Sequence, residues 1–65
     1  MENLKYALEK KGVTIKALAA LLGISEKSAW NKVNGASEFT YKEAMLVKDN
    51  LLPEYDCEWL FRKTA

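Results

Sequence analysis

Three glycines and one proline limit what this chain can build. Gly12, Gly23, Gly35 and Pro53 divide it into five short segments, since glycine relieves a left-handed helix stop and proline cannot continue a helix. Each segment carries apolar residues at helical spacing. The first, about Glu2 to Lys11, shows Leu4, Ala7 and Leu8. In the second, Thr14 is placed as N-cap, and Ile15, Leu18, Ala19 and Leu22 recur at i, i+3, i+4 and i+7. Ser25 caps the third, whose inward residues are Ala29 and Val33. Thr40 and Glu43 form a capping-box pattern ahead of Ala44, Val47 and Leu51. Asp56 is placed as cap of a last helix, "CEWLFRK", with Trp59, Leu60 and Phe61 as its apolar content. No stretch alternates as a strand does. The expected fold is all-α, five short helices in one domain over residues 1–65.

Composition narrows the function classes. Sixty-five residues have too little interior for a second core, and 49% hydrophobic with 29% charged residues is a globular composition. Cys57 is the single cysteine, which excludes an intrachain disulfide and fits a reducing, cytoplasmic setting. No apolar run nears the roughly 18 residues of a membrane span, and "MENLKYALEKKG" lacks the pattern of a signal peptide. There is no histidine, no glycine-rich phosphate loop and no base beside the cysteine. No catalytic residues, cofactor or small-molecule substrate are therefore expected. Glu54, Asp56 and Glu58 are read as a solvated group rather than a metal site, because calcium takes six or more oxygens. Net charge is only +1, yet from Lys10 to Ser37 five lysines face Glu26 alone, a net +4, while Asp49 to Phe61 carries −4. The third segment lies in the basic part.

The join between the second and third segments is the most informative. A helix containing Ala19 is followed by Leu22-Gly23-Ile24-Ser25 and another helix, a steep close crossing of the helix-turn-helix kind over about residues 14–34. If Ala29 and Val33 point inward, a rotation of about 100° per residue sets Asn31 almost opposite, with Lys27, Ser28 and Asn34 within about 60° of it. Asparagine can offer donor and acceptor to an adenine edge, and serine and lysine can bond base or phosphate. An ordinary solvated helix face is the plain alternative. Glu26 suits the helix dipole, and Trp30, on the flank, is first of all expected to cover the edge of the core.

With these residues the chain resembles the lambda-repressor-like, or Cro-like, helix-turn-helix regulators of phages and bacteria. The resemblance covers nearly the whole length and rests on "GVTIKALAALLGIS", on Asn34-Gly35, on "EFTYKEA" and on "CEWLF"; "WNKVNG" looks most like small prophage regulators. It implies a repressor that binds a palindromic operator in double-stranded DNA as a homodimer. The groove-facing positions fall on Glu26, Lys27, Ser28 and Asn31. Phosphate-holding positions fall on Thr14, Ile15 and Lys16, on Asn34 and Ser37, and on Thr40 and Lys42. Ile15 and Glu26 stand where many members carry glutamine, Lys32 where the residue is often apolar, and Trp30 where it is often small or polar. In so short a chain dimer contacts are expected from its own surface, at Leu51, Tyr55, Trp59 and Phe61. Glu26, Trp30 and the weak net charge support a second reading, a helix-turn-helix fold that docks onto a repressor or polymerase.

Overall fold

All five segments are helical in the computed structural model, which describes residues 1–62. They are α1 (Glu2–Lys11), α2 (Ile15–Leu22), α3 (Glu26–Val33), α4 (Tyr41–Leu51) and α5 (Cys57–Leu60), with no strand among the described residues. The end of the expected last helix, Lys63, lies outside them.

Side-chain caps start three helices. Thr14 Oγ1 accepts from the Ala17 amide at 3.1 Å and Ser25 Oγ from the Ser28 amide at 3.1 Å. At α4 the box is reciprocal: Thr40 Oγ1 accepts from the Glu43 amide at 3.1 Å, and Glu43 Oε1 from the Thr40 amide at 2.9 Å. Each such cap stabilises its helix by about 1 kcal/mol. Asp56 departs from expectation. It occupies the N-cap of α5, but its carboxylate makes no cap bond, and the turn is closed by the backbone bond from the Leu60 amide to the Asp56 carbonyl at 2.9 Å. At the end of α2, Gly23 is left-handed (φ 69°), and the Ile24 amide reaches back to the Ala19 carbonyl at 3.1 Å.

All five helices, or the residue that ends them, feed one core: Leu4, Ala7 and Leu8; Leu18 and Ala19; Ala29 and Val33; Val47 with Leu52; and Leu60. The fourth set corrects the periodicity. Leu51 is only half-buried, and Leu52 is fully covered. Leu52 follows the last helical residue with φ −132°, so helical rotation no longer governs where its side chain goes. α2 packs on α3 and on α4, while α5 bridges α1 and α4. The Asn3 amide donates to the Trp59 carbonyl at 2.9 Å, tying α1 to α5. Trp59 and Phe61 flank Leu60 and are half-buried.

Candidate nucleic-acid interface

α2 and α3 are joined by three residues and pack together, and each buries an alanine, Ala19 at 4% and Ala29 at 0% exposure. Small side chains at such a crossing let the helices approach closely. Ala29 and Val33 are buried, so the opposite side of α3 is turned away from the core. There Lys27 is exposed, and Ser28 and Asn31 are half-buried; Glu26, three residues before Ala29, falls on the inward stripe and is exposed because it is the first residue of the helix. Ser28 Oγ accepts from the Ser25 hydroxyl at 3.0 Å, which leaves its own hydroxyl hydrogen available. The following loop closes the C-terminal end of α3, its Ala36 and Ser37 amides donating to the Asn31 carbonyl at 2.8 and 3.2 Å. The Asn31 side chain itself makes no hydrogen bond among the described residues.

Trp30 does not cover the core as expected; it is 54% exposed. Glu26, Lys27 and Trp30 are the exposed residues of α3, and Asn31 is half-buried. A cleft of about 290 Å³ beside Trp30 is lined also by Leu8, Val13, Ile15, Val33 and Asn34, so the start of α2 adjoins the end of α3.

Lys32 turns the other way. Its Nζ donates to Glu43 Oε1 at 2.9 Å and to the Glu38 carbonyl at 3.0 Å, and lies 6.0 Å from the centre of the Phe39 ring. The two charged side chains are only 15% and 18% exposed. The Thr40 amide foremost, and then Lys32, hold the Glu43 carboxyl below the usual carboxylate range against the opposing effect of burial. Lys32 is thus a strut between α3 and α4. Lys11 is also engaged, donating to Glu54 at 2.6 Å on the surface. This bond lowers the Glu54 carboxyl below its ordinary value. Lys10, Lys16 and Lys27 keep unpaired ammonium groups among the described residues.

The phosphate positions divide by what their side chains already do. Lys16 and Lys42 are exposed and unpaired among the described residues, and Ser37 is exposed. Thr14 and Thr40 are exposed, with hydroxyls occupied as caps. Asn34 Nδ2 donates to the Trp30 carbonyl at 2.9 Å, leaving its oxygen to accept. Ile15 is half-buried against the core; any anion contact there falls to the backbone N–H groups of the first turn. Ser37 and Thr40 line a second cleft, of about 440 Å³, with Tyr41 and Phe61.

Tyr41 is 83% exposed and Tyr6 54%, and sequence spacing singled out neither. Three residues before Ala44, Tyr41 falls on the inward stripe of α4, yet at the first position of the helix it stands beyond the reach of the core.

Of the expected dimer residues, Leu51, Tyr55, Trp59 and Phe61 are all half-buried. Tyr55 stacks on Trp59 at 5.6 Å, Tyr6 meets Trp59 edge-on at 6.3 Å, and Phe39 meets Phe61 edge-on at 5.1 Å. Those rings already have partners within the chain. Among the described residues no helix is long and apolar enough to cross a membrane, and no three potential metal ligands converge. No protein-family model, no curated protein and no solved structure matches the chain.

Proposed function

We infer that the protein is a sequence-specific DNA-binding regulator of the Cro type, with α2 and α3 as its helix-turn-helix. The observation that carries this reading is the two-sided character of α3. Ala29 and Val33 anchor it at 0% and 3% exposure, while Glu26 and Lys27 are exposed and the Lys27 and Asn31 side chains have no partner among the described residues. A helix so supported can enter a major groove without losing its packing. Asn31 is assigned to an adenine edge, Lys27 to guanine or phosphate, and Ser28 to either. The amides opening α2 and α4, with Lys16, Lys42, Asn34 and Ser37 nearby, are assigned to phosphates. A twofold dimer places two copies of α3 in successive grooves about 34 Å apart, and operator occupancy excludes polymerase.

The exposure of Trp30 and Tyr41, each beside an open cleft, supports a second reading, a module that docks onto another protein. Affinity for DNA measured against salt separates the two. About five phosphate contacts give a log–log slope near −4.5. A docking module binds no duplex from a random pool even at about 50 mM salt.

A further inference from the structure

α3 carries an exposed tryptophan, Trp30. Trp30 lies one turn after Glu26 and Lys27, and these three are the most exposed residues of the helix. Lys32 is withdrawn to Glu43 and Asn31 is half-buried, which leaves Lys27 and Trp30 as the large exposed side chains beyond the first residue of the helix. Any groove that takes Lys27 also takes the indole, about 60° away around the helix. Trp30 borders a cleft with Val13, Ile15 and Val33, so apolar side chains back it while 54% of it stays exposed.

Along the floor of a major groove most atoms are hydrogen-bonding, and the apolar feature is the thymine 5-methyl group. We propose that Trp30 is a specificity-determining residue that reads thymine by packing its indole against 5-methyl groups in the major groove. This rests on the DNA-binding reading above and deepens it: the preferred half-site contains thymine where the flank of α3 lies, beside the bases met by Lys27 and Asn31. The contact carries no charge, so it contributes to affinity without contributing to salt dependence.

The probe is the tightest duplex recovered from a random pool, resynthesised with deoxyuridine in place of each thymine in turn. The parent protein should lose about fourfold in affinity per methyl group removed, at one or two positions in each half-site. Trp30→Ala should bind the all-thymine duplex more weakly, show the same salt slope, and no longer distinguish thymine from uracil there. Trp30→Phe should retain part of the discrimination. Far-ultraviolet circular dichroism of both variants, altered at an exposed position, should match the parent. The proposal is overturned if uracil is tolerated at every position by the parent, if the uracil penalty persists in Trp30→Ala, or if selected half-sites lack thymine. Each of these leaves DNA binding standing. Failure of the parent to bind any duplex at about 50 mM salt removes the DNA-binding reading, and this one with it.

Discussion

Lys32→Met tests whether that lysine belongs to the fold rather than to the outward face of α3. Methionine keeps most of the stem packing but removes the ammonium group held 2.9 Å from Glu43 Oε1. The Glu43 carboxylate, 18% exposed, is then left with the Thr40 amide, its capping partner. Removing one member of so covered a pair costs more than the roughly 0.2–1 kcal/mol of an exposed one, and less than the 3–5 kcal/mol of a fully buried one. About 2 kcal/mol is expected, against a total stability of about 3–5 kcal/mol for a core this size. Urea unfolding followed by tryptophan fluorescence should show a midpoint lower by about 2 M, taking a slope near 1 kcal/mol per M. The pH dependence gives an independent check. The Glu43 carboxyl is lowered in the folded state, so its stabilisation is complete above the unfolded value of about 4.3 and is lost as pH falls through the folded value. The gap between parent and variant should therefore be wide at pH 7 and narrow as pH falls through the folded value, down to what the Lys32 bond to the Glu38 carbonyl contributes. Adding Glu43→Gln should restore most of the loss, since glutamine still accepts from Thr40 without a charge to strand. A midpoint at pH 7 within about 0.3 M of the parent refutes the strut.

Asn31→Ala should cost about 1–3 kcal/mol on a selected duplex and blur its sequence preference, whereas Lys27→Ala should weaken all duplexes alike and reduce the salt slope by about 1; binding equal to the parent's in both variants defeats the face assignment. Leu52→Ala should destabilise by about 2–5 kcal/mol, enough to leave much of the protein unfolded in thermal melts, and Leu51→Ala by clearly less; the reverse order would mean that helical periodicity, and not the turn at Leu52, sets the core. Gly23→Ala should lower the melting midpoint even though a Cβ there meets nothing within 4 Å, because φ 69° is strained for alanine by about 1 kcal/mol.

Much of the architecture was legible because short-range chemistry encodes it. Thr14, Ser25 and the Thr40–Glu43 pair announce helix starts within three residues of themselves, and each makes the bond its type prescribes. Gly12 and Gly23 adopt the left-handed stop that only glycine takes without strain. The sequence pattern and the structure part where a helix end or a neighbour further along the chain decides. The choice of Leu52 over Leu51 depends on where the helix ends, and Asp56 sits at a helix start without needing to cap it. On α3, rotation alone set Asn31 at the centre of the outer face. Asn31 is half-buried there, and Lys32 is drawn aside by Glu43, eleven residues further on, which no local pattern announces.

The same displacement separates two functions that a helix wheel merges. Val33 and Ala29 hold α3 from beneath and Lys32 braces it from one side, so stability is concentrated on one half of its circumference. Lys27 and Asn31 occupy the other half, with Trp30 on its flank, and no described contact within the chain depends on the charge of Lys27. Because residues that share no partner contribute almost additively, substitutions on the outer half should alter recognition at nearly constant stability, and those on the braced half should do the reverse. A helix divided in this way can change what it recognises without first being stabilised elsewhere. The buried Ala19 and Ala29 lie on the side that has to stay unchanged, because they belong to the core that holds α3 in place.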